Sequence, residues 1–203
     1  MDIKSFNKVK FIKSMTKAAD KPSPNFPEIA FIGRSNVGKS SLLNMLANVK
    51  KLAKTSGKPG KTRLINHFLV NNEWYMVDLP GYGYIKTARK DKEDILKLIA
   101  NYILNRENLI CVFILLDCRH EPQNIDLDFI KWIGINKIPF VLWFTKSDKL
   151  STSMLDKRIK NYKKTLLENW QTLPDIFITS SLKKTGREEI IKFILDTNST
   201  VNI

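Results

Sequence analysis

At 203 residues and 43% hydrophobic, the chain is long enough to bury a sizeable core and fits one domain better than two. Lys and Arg outnumber Asp and Glu by 34 to 20, a net charge of +14 that favours RNA, DNA or an anionic membrane as partner, with a solvated lysine-rich surface as the plainer alternative. No apolar run reaches the ~20 residues that span a bilayer, and the N-terminus lacks a signal-peptide core; the expectation is a cytoplasmic protein without stable membrane insertion. Cys111 and Cys118 lie in or beside a strand-like run without metal-ligand spacing, which points to buried thiols rather than a disulfide.

In chain order, residues 1–27 alternate Val9 and Phe11 with lysines and then pass through Pro22, Pro24 and Pro27. That pattern predicts a basic lead-in: a short edge strand and an extended connector, ahead of a domain spanning 28–196. Residues 28–32 form a buried strand that runs into a glycine-containing loop, 33–40, followed by a helix over 41–48. From 49 to 63, Gly, Pro and charge exclude regular structure and predict a mobile, basic loop. Strands over 64–70 and 74–78 are joined through Asn71-Asn72, a hairpin signal. Ile95, Leu98, Ile99, Tyr102 and Ile103 recur at helical spacing within 91–105. Residues 110–116 are apolar on both faces, as a central parallel strand is. A helix over 125–135, a strand over 140–144, a long basic helix from about 151 to 170, a short strand over 176–178 and a helix over 188–195 follow, leaving 197–203 as a tail. This alternation predicts an α/β fold, a mostly parallel six-stranded sheet with one antiparallel hairpin strand and helices on both faces. The site should lie at the C-terminal ends of the strands.

Residues 33–40, GRSNVGKS, match the phosphate-binding pattern G-x-x-x-x-G-K-[ST] at every specified position. Gly33 and Gly38 let the backbone, through Arg34, Ser35, Asn36 and Val37, converge its N–H groups on phosphate oxygens. Lys39 adds a point charge and Ser40 a Mg²⁺ ligand, with the phosphate at the N-terminus of the following helix. A bound nucleoside triphosphate and the P-loop NTPase fold follow, but kinases, ATPases and GTPases remain equal on this loop alone. Asp78-Leu79-Pro80-Gly81 has the D-x-x-G form, in which Asp78 would meet Mg²⁺ through water and the Gly81 N–H the γ-phosphate. Thr145-Lys146-Ser147-Asp148 has the [NT]-K-x-D form. Asp148 would accept N1–H and N2–H of guanine, a donor pair adenine lacks, while the stem of Lys146 lies along the base and braces the phosphate loop. This argues for GTP and GDP as ligands and against an ATP-dependent kinase. Thr179-Ser180-Ser181 matches the weaker motif whose backbone N–H caps guanine O6. Thr62 is the candidate switch threonine completing Mg²⁺ coordination, with Thr55 as its competitor.

Taken together, GRSNVGKSS, TSGKPGKTR, VDLPGYGY, DCRHEP, TKSDK and SSLKKTG resemble the EngB (YsxC/YihA) type of translation-factor-related bacterial GTPases, within the TrmE-Era-EngA-EngB-Septin-like superfamily, over about residues 9–195. The resemblance implies nucleotide contacts from 33–40, from Gly60, Lys61, Thr62, Arg63 and Leu64, and from 78–81, 145–148 and 179–181, with Mg²⁺ on Ser40 and Thr62. It also implies a role in assembling the large ribosomal subunit and a requirement for normal cell division and septation. Arg63-Leu64 departs from the many relatives that carry glutamine or threonine after the switch threonine.

The residue after D-x-x-G is Tyr82, where Ras-like GTPases place a glutamine that orients the attacking water. Tyr82 cannot do that, so slow basal turnover, accelerated by a partner and serving as a timer, is expected, with Lys39, Thr62 and Asn36 as the candidate catalytic groups. Asn36 stands where several potassium-stimulated GTPases also carry asparagine; it either holds K⁺ or only hydrogen-bonds the loop backbone. For Tyr82 and Tyr84, local packing is favoured over stacking on RNA bases. Lys50, Lys51, Lys54, Lys58, Lys61 and Arg63, and again Lys157, Arg158, Lys160, Lys163 and Lys164, would suit ribosomal RNA of the large subunit or its precursor. Two readings remain for what is expected to be a monomer. One is an enzyme whose hydrolysis drives release from a ribosomal precursor, the other a GTP-sensing module in division for which turnover is incidental.

Overall fold

The computed structural model describes residues 6, 8–17, 20, 22–53, 64–83 and 89–200. Their elements are β1 (Val9–Met15), β2 (Glu28–Gly33), α1 (Lys39–Ala47), β3 (Ile65–Val70), β4 (Trp74–Asp78), α2 (Arg89–Asn105), β5 (Leu109–Asp117), α3 (Asn124–Ile135), β6 (Phe140–Thr145), a 3₁₀ turn (Ser147–Lys149), α4 (Thr152–Leu167), β7 (Ile176–Ile178) and α5 (Arg187–Ser199). The strands form one sheet in the order β1-β3-β4-β2-β5-β6-β7. β2 runs parallel to β4 and β5, β5 to β6, and β6 to β7, while β3 pairs antiparallel with both β1 and β4.

The sheet therefore has seven strands rather than six. The lead-in adds β1 to the edge of β3, with Val9 opposite Val70 and Met15 opposite Ile65. Met15 is buried against the core and Phe11 meets Phe68 edge-on at 5.7 Å, so the strand both covers apolar surface and satisfies an otherwise open row of β3 backbone groups. The β3–β4 hairpin turns where expected: Asn71 and Asn72 take φ of 52° and 61°, the left-handed backbone that asparagine tolerates better than most residues. α5 continues to Ser199, beyond the boundary expected at 196, with Thr197 Oγ1 donating to the Phe193 carbonyl at 2.7 Å. α4 starts at its Ser151 cap, whose Oγ accepts from the Met154 N–H at 3.3 Å, and stops at Leu167.

Alternation along the buried strands sorts side chains into two cores. Ala30 and Ile32 of β2 join Val112 and Ile114 of β5 against Ile99 of α2, Ile130 of α3 and Tyr162 of α4. Ile29, Phe31, Phe113 and Leu115 point the other way, against Leu43 of α1 and Ile190 of α5. Helices thus cover both faces, and every β5 side chain from Cys111 to Leu116 is buried, which is why its sequence is an unbroken apolar run. The cysteines are free and buried; burial pushes the Cys111 thiol up to about 12 and the Cys118 thiol to about 11.

At the start of β2 the Glu28 side chain is wholly buried. Arg106 Nε donates to its Oε2 at 2.8 Å, Arg106 Nη2 and Tyr102 OH also donate to the carboxylate, and His67 Nε2 lies 3.5 Å from Oε1. Burial alone would raise this acid, but the bonds from Arg106 and Tyr102, with His67 close by, outweigh it and hold the group down at about 2.

Candidate functional site

Because β2, β4, β5, β6 and β7 run parallel, their C-terminal ends bring Gly33, Asp78, Asp117, Thr145 and Thr179 to one edge of the sheet. Gly33 ends β2 where a Cβ would stand 2.7 Å from the Leu115 carbonyl oxygen, so only glycine lets the chain turn there. Gly38, at φ 106°, caps α1 in a conformation closed to ordinary side chains. The N–H groups of Lys39, Ser40 and Ser41 precede the first bond of α1, from the Leu42 N–H to the Gly38 carbonyl at 3.0 Å, and a helix N-terminus of this kind is an anion site.

The loop is braced from β6. Thr145 Oγ1 donates to the Val37 carbonyl at 2.6 Å, and Lys146 Nζ donates to the Asn36 carbonyl at 2.6 Å and to Asp117 Oδ2 at 2.9 Å. Lys146 reaches both from a left-handed backbone, φ 62°. Asn36 is itself at φ 64°, which supplies a conformational reason for asparagine at that position beside the two weighed from sequence. Lys39 Nζ pairs with Asp78 Oδ1, and Asn66 Nδ2 donates to Asp78 Oδ2 at 3.3 Å, so the D-x-x-G aspartate stands beside the phosphate-loop lysine. Leu79 and Pro80 turn inward and are buried. Gly81 presses on the loop: a Cβ there would fall 2.7 Å from the Gly33 carbonyl oxygen and 3.3 Å from the Ser35 nitrogen.

The motifs at 145–148 and 179–181 converge. Ser147 N–H donates to the Thr179 carbonyl at 3.1 Å, and Ser180 Oγ donates to Asp148 Oδ1 at 2.6 Å, a bond that lowers the Asp148 carboxyl below its ordinary range. Asp148 is thereby held ionised with acceptor capacity to spare. Thr179 takes a different part: its buried hydroxyl accepts from Trp143 Nε1 at 2.7 Å and donates to the Phe144 carbonyl, so its side chain belongs to the core. Ser181 and Leu64 are half-buried at the rim. Gly60, Lys61, Thr62 and Arg63, with Thr55 and most of the basic loop, lie outside the described residues, as does Tyr84.

Sequence reasoning missed Asp117, the last residue of β5. Burial would raise it, but bonds from Arg119, at 2.7 and 2.9 Å, and from Lys146 hold it at about 2. Its signal was an acid ending a wholly apolar strand. Tyr82 is 3% exposed and stacks on Phe129 at 4.3 Å, so packing is its role, as favoured from sequence. Arg158, counted with the lysines of α4, instead pairs with Glu121, leaving Lys157, Lys160, Lys163 and Lys164 as the exposed basic face.

Among the described residues no three His, Cys, Asp or Glu side chains gather as a metal cage. Mg²⁺ does not need one, since it usually keeps several waters and takes one or two protein oxygens plus substrate phosphates. The hydroxyl of Ser40, next in sequence to Lys39, and the Asp78 carboxylate paired with that lysine are a donor set of that kind.

The chain is similar to known GTP-binding proteins. A family model described as 50S ribosome-binding GTPase matches residues 28–146. A protein of Porphyromonas gingivalis named "Probable GTP-binding protein EngB" is 55% identical over 194 residues, 96% of this chain and 95% of its own length. One of the same name from Christiangramia forsetii is 52% identical over 191 residues, 94% of this chain and 96% of its own. The crystal structure of a protein also named for EngB superposes with a TM-score of 0.69 over 86% of this chain and all of its own, at 23% identity, and shares the fold.

Proposed function

Since the chain belongs to the EngB family of GTP-binding proteins, we propose that it is a GTP-driven switch in the assembly of the large ribosomal subunit, with slow basal hydrolysis as its timer. The observation that carries this reading is the convergence at one sheet edge of a braced phosphate loop, an aspartate on its lysine, and an ionised Asp148 suited to the two donors of guanine. Ser40 and Asp78, with Thr62, would hold Mg²⁺, which supplies charge neutralisation between the β- and γ-phosphates. Lys39 then meets the phosphates and Lys146 keeps the loop in register. The burial of Tyr82 supports low basal turnover, because no water-orienting side chain follows Gly81.

The ribosomal partner is supported by the description of the matching family as 50S ribosome-binding and by the exposed lysines at 50 and 51 and along α4. A cytoplasmic monomer acting on ribosomal RNA, and through it on cell division and septation, follows from the same reading. The test is sedimentation with large subunits or their precursors. Binding should be stronger with a non-hydrolysable GTP analogue than with GDP, and should weaken steeply with salt. Equal binding in both nucleotide states overturns the switch. A K⁺ site at Asn36 predicts faster hydrolysis in K⁺ than in Na⁺, lost in Asn36→Gly, which keeps the left-handed backbone and removes only the side chain. Equal rates in the two salts remove the cation.

A further inference from the structure

We propose that Asp126 is a positioning residue for GTP hydrolysis: it ties the root of the phosphate loop, through Arg34, and the start of the second switch, through Tyr82, to helix α3, and so sets where the Gly81 N–H stands. The inference rests on the reading of 78–81 as the segment that meets the γ-phosphate.

The contacts form a closed set. Tyr82 OH donates to Asp126 Oδ1 at 2.8 Å, with the two residues 3% and 5% exposed, and the ring lies flat on Phe129 at 14°. On the other carboxylate oxygen, Asp126 Oδ2 lies 3.6 Å from Arg34 Nη1, and the same nitrogen donates to Gln123 Oε1 at the N-cap of α3. The glycines flanking Tyr82 lie against the loop. A Cβ on Gly81 would meet the Gly33 carbonyl oxygen at 2.7 Å, and one on Gly83 would meet Arg34 Cγ at 2.8 Å. Residues 81–83 are thus pressed on residues 33–34 from one side and pinned through Tyr82 from the other.

A buried carboxylate is a costly way to hold two segments, since an apolar pair of equal size would do so without desolvation. Burial raises the Asp126 carboxyl, against the pull of Tyr82 and Arg34. What the charge adds is direction: both partners are held at hydrogen-bonding or ion-pairing geometry rather than by general packing. A cleft of about 90 Å³ beside the loop, lined by Arg34, Ser35, Asn36, Asp117, Arg119 and Asp126 among others, leaves Arg34 room to shift without unpacking the core. With no side chain after Gly81 able to orient water, the placement of backbone around the γ-phosphate carries more of the catalysis, and the residue that sets that placement matters accordingly.

Tyr82→Phe removes only the hydroxyl and keeps the ring on Phe129; Asp126→Asn keeps an acceptor for Tyr82 and removes the charge facing Arg34. In the full chain, single-turnover GTP hydrolysis should fall about tenfold or more in each. The preference for a non-hydrolysable GTP analogue over GDP should shrink, while GDP affinity stays within about twofold of the parent, because GDP carries no γ-phosphate for Gly81 to meet. The double variant should lose less than the product of the single losses, since each loosens one arm of the same Arg34–Asp126–Tyr82 link. Parent-like rates and preference in folded variants overturn the proposal, and so does an equal loss of both affinities together with melting temperature, the mark of a structural role. An unmutated chain that does not hydrolyse GTP would bring down the γ-phosphate reading as well; variants matching an active parent bring down the positioning role alone.

Discussion

β2 begins at Glu28 and ends at Gly33, and the two ends of this one strand hold charge in opposite ways. At its start, a wholly buried carboxylate is bonded by Arg106 and Tyr102 and flanked by His67, joining β2 to α2 and β3. At its end, charges stand beside the phosphate loop with their lysines less completely buried: Lys39, 10% exposed at its side chain, on Asp78, and Lys146, 24% exposed, shared between Asp117 and the Asn36 carbonyl. Buried charges with fixed partners hold elements together and lose much when one partner is removed. Charges less completely buried can exchange a protein partner for a phosphate or a base, which is what a binding site needs.

Four substitutions and one pH dependence probe that contrast. Glu28→Gln leaves Arg106 buried without its counter-charge and should cost about 4 kcal/mol of stability, lowering the melting temperature by roughly 10 °C, while nucleotide affinity stays near that of the parent. The same group gives a pH signature. Its acid is at about 2 in the fold against 4.5 when free, so its contribution, about 3 kcal/mol, is complete above pH 4.5 and lost as pH falls through about 2. Urea unfolding at neutral pH and near pH 3 should show that loss in the parent and not in the variant.

Lys39→Ala should show the reverse pattern, weakening GTP and GDP by about 3 kcal/mol, roughly 150-fold in a fluorescent-nucleotide titration, with a loss of melting temperature smaller than that of Glu28→Gln, since Asp78 keeps the Asn66 amide as a donor. If it destabilises the chain as much as Glu28→Gln does, the two ends are not different in kind. Asp148→Asn turns an acceptor into a donor toward the base. GDP should bind about 2 kcal/mol more weakly, and a xanthine nucleotide, with a carbonyl in place of the exocyclic amine, should gain in its place. Ser151→Ala, at the α4 cap and away from both ends, should cost about 1 kcal/mol of stability and leave nucleotide binding unchanged.

Much of the fold was legible because its signals are local. The apolar run of β5, the Asn71-Asn72 turn and the helical spacing within α2 each depend on residues close in sequence, and each element formed within a few residues of its expected bounds. The seventh strand is a different case. β1 carries only a weak alternation, and it counts as part of the sheet because β3 offers an edge to it. Arg158 shows the same limit at the level of a single side chain. It has the residue type its cluster required, yet its guanidinium is taken by Glu121, 37 residues away.

The phosphate loop, the aspartate at 78 and the lysine and aspartate at 146 and 148 were determined by the sequence alone, because a phosphate or a guanine edge demands particular groups at short spacing on one loop. Tertiary structure decided which charges stand behind those groups. Asp126 and Glu28 belong to no short motif; each acquires its role from partners that the sheet and helices bring together over 44 to 92 residues of chain, and Asp117, beside its neighbour Arg119, meets Lys146 across 29. Burial then settles the rest, since an acid removed from water persists only where such partners meet it.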